Sequence, residues 1–288
     1  MQKWIISLLS TYLKVLNKLS SKLGGRHAFL LFCYPFPLKL KKHQSQFLAT
    51  GRASTFYFEG KKIRMYKWGS GDKVVLCLHG WQSNSFRWKK YIESIDLDRF
   101  TIICLDAPAH GQSEGRYLNV LMYSRLIELF LYNNSVDYII GHSLGAFSSM
   151  YLFSQKPALS THKLVALGTP NYVDYFIDEF IRILDLSVDV KTNMYAHIKR
   201  STNQLPVEFD SKIFAKKQVA QGLIIHDEED RDVPFEYAKS MASLWPNASF
   251  MGTKGFGHKL RDDSIVQAVI DFIDADASVP KNRVKNQD

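Results

Sequence analysis

The chain has 288 residues, of which 46% are hydrophobic and 23% charged, so it is ordinary globular material with enough length for one large α/β core. Three cysteines, Cys33, Cys77 and Cys104, form an odd set without metal-ligand spacing, and we expect buried thiols in a reducing compartment. The formal net charge of +9 lies entirely in residues 1–58, which contain nine Lys or Arg and no Asp or Glu. No aromatic and basic interleaving indicates a nucleic-acid-binding module, so nucleic acid is not expected as a partner.

Residues 1–54 are predicted to form a basic amphipathic segment. Apolar residues recur there at helical spacing, with lysines mostly on the other side. They are Ile5, Leu8, Leu9, Tyr12, Leu16, Leu19 and Leu23. The stretch is too short for a transmembrane span, and no signal-peptide cleavage site precedes Arg26. Two interpretations stay open: a helix packed against the body of the protein, which we favour, and a helix of residues 1–24 lying on an anionic membrane surface. The expected location is the cytoplasm, or in the second case its membrane face.

The main domain is predicted over residues 55–275, with a polar tail over 276–288. Strand-like runs alternate with helix-like stretches after an opening antiparallel hairpin, which is typical of a parallel sheet with crossover helices. The alternation breaks once, where about fifty residues separate two strands. We predict a small helical cap over residues 171–217, which would line a pocket and exclude water. The alternative is a surface insertion that only extends the core.

The pentapeptide Gly-His-Ser-Leu-Gly at 141–145 is the strongest motif. It directly follows the apolar run 136–140 and directly precedes a helix-like stretch over 144–155. A serine in the sharp turn between a strand and a helix has its hydroxyl exposed above the sheet, and the flanking glycines permit close backbone contacts. The motif therefore predicts Ser143 as a nucleophile.

A serine nucleophile needs a histidine to take its proton and a carboxylate to hold that histidine. On such a turn these partners come later in the chain, first the acid and then the histidine. His258 fits the second role, because it lies in a glycine-rich loop between the strand-like run 248–251 and the helix-like stretch 262–273. Asp230 is our choice of acid, because it lies in the loop after the preceding strand, three residues before a Val-Pro that starts the next helix. The other carboxylates of that loop are expected to be solvated or to cap the helix: Asp227, Glu228, Glu229 and Asp232.

The oxyanion of such a reaction needs two hydrogen-bond donors. The helix after Ser143 points its N-terminal N–H groups toward the turn, so Leu144 is predicted to supply one donor. The second is predicted from Trp81, in the loop that follows the apolar run 74–78. Both donors are main-chain N–H groups. His79 is expected to brace this loop.

A second histidine and carboxylate pair occurs in Asp106-Ala-Pro-Ala-His110-Gly-Gln-Ser113. The pair precedes the nucleophile, and the stretch is dense in turn-forming residues. We interpret it as a rigid turn rather than as catalytic machinery.

Together these motifs resemble the α/β-hydrolase superfamily. The resemblance covers roughly residues 55–275, with every element in the expected order, and is strongest to compact bacterial single-domain hydrolases. It implies a mostly parallel eight-stranded sheet flanked by helices, a triad of Ser143, Asp230 and His258, and no cofactor. No histidine or cysteine spacing indicates a metal site.

The expected function is a serine hydrolase that cleaves a small-molecule carboxylic ester with a hydrophobic acyl group. Thioester, lactone and carbon–carbon bond hydrolysis use the same constellation, and the sequence does not separate them. A non-catalytic membrane-surface or ligand-binding member of the fold is the alternative from another class.

Overall fold

The computed structural model describes residues 3–275. The predicted tail over 276–288 lies outside the described residues, as do the first two residues of the N-terminal segment. Eight strands are present: β1 (Arg52–Phe58), β2 (Lys61–Trp68), β3 (Lys73–Leu78), β4 (Phe100–Leu105), β5 (Tyr138–His142), β6 (Lys163–Leu167), β7 (Gln221–Asp227) and β8 (Ala248–Thr253). The described helices are α1 (Lys3–Leu19), α2 (Ser21–Phe32), α3 (Lys42–Leu48), α4 (Lys89–Ser94), α5 (Val120–Asn133), α6 (Leu144–Gln155), α7 (Val173–Ile183), α8 (Val188–Thr202), α9 (Ser211–Ala215), α10 (Phe235–Ala242) and α11 (Asp263–Asp274).

The strands form a single sheet in the order β1-β2-β4-β3-β5-β6-β7-β8. The opening hairpin of β1 and β2 is antiparallel, β2 is also antiparallel to β4, and all other neighbours are parallel. The mostly parallel eight-stranded sheet is therefore confirmed. The sheet begins at Arg52, inside the predicted N-terminal segment, because residues 52–54 pair with β2. Since β5 ends at His142, Ser143 lies at the carboxyl edge of the sheet.

Alternate residues of each strand pack into two apolar layers, one on each face of the sheet. In β4, Ile103 and Leu105 lie in the layer formed with α5 and α6. Ile102 and Cys104 lie in the opposite layer, formed with α3, α4 and α11. All three cysteines are buried free thiols, as predicted.

Four helices form a third apolar cluster, which we call the helical layer: α1, α2, α7 and α8. Its buried core consists of Leu13, Ala28, Ile177, Leu184, Val190, Met194 and Ile198. The predicted insertion 171–217 thus divides in two. Its first two helices, α7 and α8, pack with the N-terminal helices, whereas α9 packs on α6 and adds Phe214 and Ala215 to the core of the sheet.

The N-terminal segment is helical, but its packed side differs from the expected one. Leu13 is fully buried and Ile6 and Leu9 pack beside it, whereas Leu8 and Leu19, both expected on the apolar face, are 63% and 78% exposed. The chain breaks at Ser20, whose side chain accepts a hydrogen bond from Leu23 N–H and caps α2. The chain reverses at this break, and α2 packs back against α1. The position of the break therefore determines which side of α1 is buried. Among the described helices, none combines the length and hydropathy of a membrane-spanning segment.

We expect Leu13→Ala to destabilise the protein by about 2–5 kcal/mol, because it removes a fully buried side chain from the contact between α1 and the inserted helices. Urea denaturation followed by circular dichroism measures the change. The matched control is Leu8→Ala on the same helix, where an exposed side chain should change the free energy of unfolding by less than about 0.5 kcal/mol. Equal effects of the two substitutions would contradict the packing of α1.

Candidate active site

The turn at Ser143 connects β5 to α6 in a backbone conformation that few residues adopt. Ser143 has φ 50° and ψ −119°, in a region that normally favours glycine. Its N–H donates to Leu167 O on the neighbouring strand at 2.8 Å, and its carbonyl accepts from Phe147 N–H at 2.9 Å. Gly145 lies so close to β3 that a Cβ there would be 2.3 Å from Leu78 O. Close packing thus maintains a strained turn with Ser143 at its apex.

His258 and Asp230 form a hydrogen-bonded pair. His258 Nδ1 donates to Asp230 Oδ2 at 2.8 Å, which leaves Nε2 of the ring as the acceptor for another proton. The Asp230 side chain is buried, and burial alone would raise the pKa of its carboxyl group. The hydrogen bonds from His258 and from the N–H groups of Asp232 and Val233 outweigh burial, and the pKa of Asp230 lies below its ordinary value. This carboxylate is therefore ionised at neutral pH.

A second histidine, His226, contacts the same carboxylate, and sequence reasoning missed it. His226 lies in β7 with a fully buried side chain. Its Nε2 donates to Val233 O at 3.0 Å and lies 3.3 Å from Asp230 Oδ2. Burial lowers the pKa of His226 below its ordinary value, so the ring is neutral and holds the Asp230 loop as a hydrogen-bond donor. In the sequence, the only feature that could have indicated this role is its position four residues before Asp230.

Three buried polar groups fix the loop that carries His258. Arg87 Nη2 donates to Lys259 O at 2.7 Å, and His142 Nε2 donates to His258 O at 2.9 Å. Asp227 Oδ2 accepts from Phe256 N–H at 3.1 Å and from a threonine hydroxyl. The prediction that Asp227 is solvated or caps a helix is wrong, because its carboxylate is buried and binds this loop. The remaining loop carboxylates, Glu228, Glu229 and Asp232, are exposed.

The loop after β3 packs directly against Ser143. A Cβ on Gly80 would lie 2.8 Å from the Ser143 Cβ, so only glycine allows this approach. The main-chain N–H groups of Trp81 and Leu144, the two predicted donors, have no acceptor among residues 3–275. The next N–H after Trp81, that of Gln82, donates to His110 Nε2 at 3.0 Å. The loop therefore has a fixed shape beside the nucleophile.

His79, Asp106 and His110 form the turn that supports this loop, as predicted. His79 Nε2 accepts from Ala107 N–H, while Asp106 accepts from the backbone and hydroxyl of Ser85. Burial lowers the pKa of both histidines to about 4, so both rings are neutral at physiological pH. These residues position the loop and do not border the reacting hydroxyl.

A cavity of about 700 Å³ opens at Ser143. Ser143 and His258 border it at the sheet, and mostly apolar side chains from all four members of the helical layer border it elsewhere. These include Ile6 and Leu9 of α1, Phe32 of α2 and Phe180 of α7. The N-terminal helices thus line the same cavity as the candidate nucleophile.

Possible metal ligands cluster at one point of the described chain. Single ligand atoms of Asp230, Asp232 and His258 lie within 4.8 Å of one another. Two of these residues are already bonded to each other, and Asp230 Oδ1 accepts from Asp232 N–H and Val233 N–H. The arrangement is that of an acid and histidine pair beside an exposed carboxylate.

Comparison with known proteins agrees with the fold. A family described as the α/β hydrolase fold matches residues 73–203. The uncharacterized hydrolase YugF of Bacillus subtilis is 26% identical over 250 residues, which cover 70% of this chain and 90% of that protein.

Two solved structures share the fold at low sequence identity. Est1E of Butyrivibrio proteoclasticus, solved with ferulic acid bound, has a TM-score of 0.60 at 16% identity, covering 79% of this chain and 100% of that one. The serine hydrolase CCSP0084 of Cycloclasticus zankles has a TM-score of 0.61 at 15% identity, covering 79% and 99% of the two chains. Taken with the sheet order, these likenesses show that the chain has the α/β-hydrolase fold, and the family match over residues 73–203 and the similarity to a bacterial hydrolase support membership of the α/β-hydrolase superfamily.

Proposed function

We propose that this hydrolase cleaves carboxylic esters through an acyl-enzyme, with Ser143 as nucleophile, His258 as general base and Asp230 as the acid that orients the histidine. One observation carries the proposal. The 2.8 Å bond from His258 Nδ1 to the ionised Asp230 leaves Nε2 as a proton acceptor on the border of the cavity where Ser143 lies. A serine hydroxyl needs such an acceptor to react at neutral pH.

The reaction divides into two halves. Ser143 Oγ bonds to the ester carbonyl carbon while its proton passes to His258 Nε2, and the carbonyl oxygen becomes an oxyanion. The ester C–O bond then breaks as His258 returns the proton to the leaving alcohol. A water molecule, deprotonated by His258, attacks the acyl carbon and releases the acid and Ser143.

The oxyanion is stabilised by main-chain N–H groups. Trp81 and Leu144 supply donors without another acceptor in the described chain, the first from the loop that packs on Ser143 and the second from the residue directly after it. A donor of this kind contributes about 2.7–4 kcal/mol to transition-state stabilisation. Because Gly80 already touches Ser143, neither donor has to move far to reach the reacting oxygen.

The cavity supports a hydrophobic acyl group. Its walls are mostly apolar, and the helical layer covers it as a cap. An acyl chain that enters gains about 0.8 kcal/mol for each buried methylene group. A cap of this kind also excludes water from the charged intermediate.

Ser143→Ala is expected to lower turnover of a p-nitrophenyl ester roughly 10⁶-fold, because no other hydroxyl can form the acyl-enzyme. Release of p-nitrophenol measures the rate. Ser243→Ala, at an exposed serine directly after α10, is the control and should retain wild-type turnover. More than a small fraction of activity in Ser143→Ala would exclude this serine as nucleophile and show that the protein uses another catalytic group.

Asp230→Asn is expected to lower kcat by roughly 10⁴-fold, because the amide no longer stabilises the imidazolium that forms on His258. Asp232→Asn, two residues away and exposed, should lose less than about tenfold. Steady-state kinetics of both variants on one ester decide the assignment. If the Asp230→Asn variant is active and the Asp232→Asn variant is inactive, the acid role belongs to Asp232 instead of Asp230.

Lengthening the acyl chain of a p-nitrophenyl ester is expected to raise kcat/KM by about fourfold per methylene until the cavity is full. Val173→Trp places a larger side chain in the cavity wall and should shift the preferred chain to a shorter length with little effect on the acetyl ester. Val188→Trp, at an exposed position of the same insertion, is the matched control. An unchanged length preference in Val173→Trp would show that the acyl group binds elsewhere.

A further inference from the structure

Helix α1 has two apolar sides that face different surroundings. On the inner side, Ile6 and Leu9 border the cavity that contains Ser143, and Leu13 is buried among the inserted helices. On the outer side four large apolar residues are exposed. Successive members are four, seven and four positions apart, so all four lie on one face of the helix. This outer stripe consists of Trp4, Leu8, Val15 and Leu19, with exposures of 63%, 63%, 52% and 78%.

Contacts to the rest of the helical layer hold α1 in this orientation. Lys14 Nζ pairs with Asp185 of the insertion at 2.7 Å, and Asn17 Oδ1 accepts from Asn193 Nδ2 of α8 at 2.9 Å. Tyr12 Oη lies 2.6 Å from Nδ1 of His27 in α2. The outer stripe is therefore presented by a folded, multiply anchored helix.

The charge beside the stripe has one sign. Residues 1–58 contain nine basic and no acidic residues. Lys3, Lys18, Lys22 and Arg26 are exposed, and none of them forms an ion pair with a carboxylate within the described part of the chain. A helix with exposed apolar residues, a terminal tryptophan and flanking cations has the chemistry that binds the surface of an anionic bilayer.

We propose that the outer stripe of α1 docks on an anionic phospholipid bilayer, so that esters dissolved in the membrane are the substrates that enter the cavity. The partner follows from complementarity of charge together with exposed apolar area. The substrate class follows from the cavity, which has apolar walls and shares α1 with the docking surface. The claim about the substrate rests on the proposed ester hydrolysis, whereas the claim that α1 docks on a bilayer does not.

The test uses the full chain and vesicles of phosphatidylcholine with or without phosphatidylglycerol. Deleting α1 would also remove part of the cavity wall, so point substitutions on the outer stripe are used instead. Wild type is expected to co-sediment with the anionic vesicles and not with pure phosphatidylcholine. Val15→Glu should weaken this binding roughly tenfold or more, and Lys18→Glu with Lys22→Glu should do the same.

Val219→Glu is the matched control, because it makes the same replacement at a comparably exposed valine in front of β7, away from α1. It should bind vesicles like the wild type. Equal binding by Val15→Glu and wild type, or no preference of wild type for anionic vesicles, would overturn the proposal. So would a dimer that Val15→Glu converts to monomer in the absence of vesicle binding, because the stripe would then be a contact between copies.

A second readout separates docking from chemistry. All variants should hydrolyse soluble p-nitrophenyl butyrate at the wild-type rate, which also shows that they are folded. Val15→Glu should hydrolyse a long-chain p-nitrophenyl ester held in anionic vesicles at least several-fold more slowly than Val219→Glu. If wild type cleaves no soluble ester, the proposed function fails while the binding measurement still decides docking. Equal rates of both variants on the vesicle-held ester would overturn the membrane route of the substrate.

Discussion

The contact between the backbone of β3 and the turn at Ser143 is the constraint on which the site depends. Gly145 lies against Leu78 O, and Gly80 lies against the Ser143 side chain, with no room for a Cβ at either position. These approaches hold Ser143 at a positive φ that would otherwise cost on the order of 1–3 kcal/mol. They also bring the loop that carries Trp81 against the turn that carries Ser143 and Leu144. Without this packing, Ser143 and Trp81 would belong to two independent loops.

Asp230 and His258 are held by a different means, namely hydrogen bonds from buried polar groups to the two loops that carry them. His226 and the backbone of Val233 bind the Asp230 loop, while Arg87, His142 and Asp227 bind the His258 loop. Each of these groups is costly to bury without a partner. Because these hydrogen bonds tie each loop to the sheet or to a neighbouring segment, they restrain both loops and so fix the contact between Asp230 and His258.

Local patterns predicted the sheet and the helix after Ser143 well. Helix α6 has the predicted bounds, 144–155, because its start is determined by the adjacent glycines and its length by its own sequence. The roles of Asp227 and His226 could not be predicted, because whether a loop carboxylate or strand histidine is buried depends on chain segments distant in sequence. The buried side of α1 could not be predicted either, because both sides of this helix carry leucines. Only the break at Ser20 and the position of α8 distinguish the two sides.

The fold shows where the uneven charge of the chain lies in the molecule. Residues 59–288 contain equal numbers of basic and acidic residues, so the positive charge belongs to the segment that includes α1 and α2. Those helices border the cavity, which opens where β5 ends at the carboxyl edge of the sheet. Five of the nine basic residues lie in α1 and α2, and an excess of positive charge on one part of a molecule attracts that part to an anionic surface. In the docking proposed above, these two helices would face such a surface, and because they also border the cavity, an apolar ester concentrated there would have a short path to Ser143.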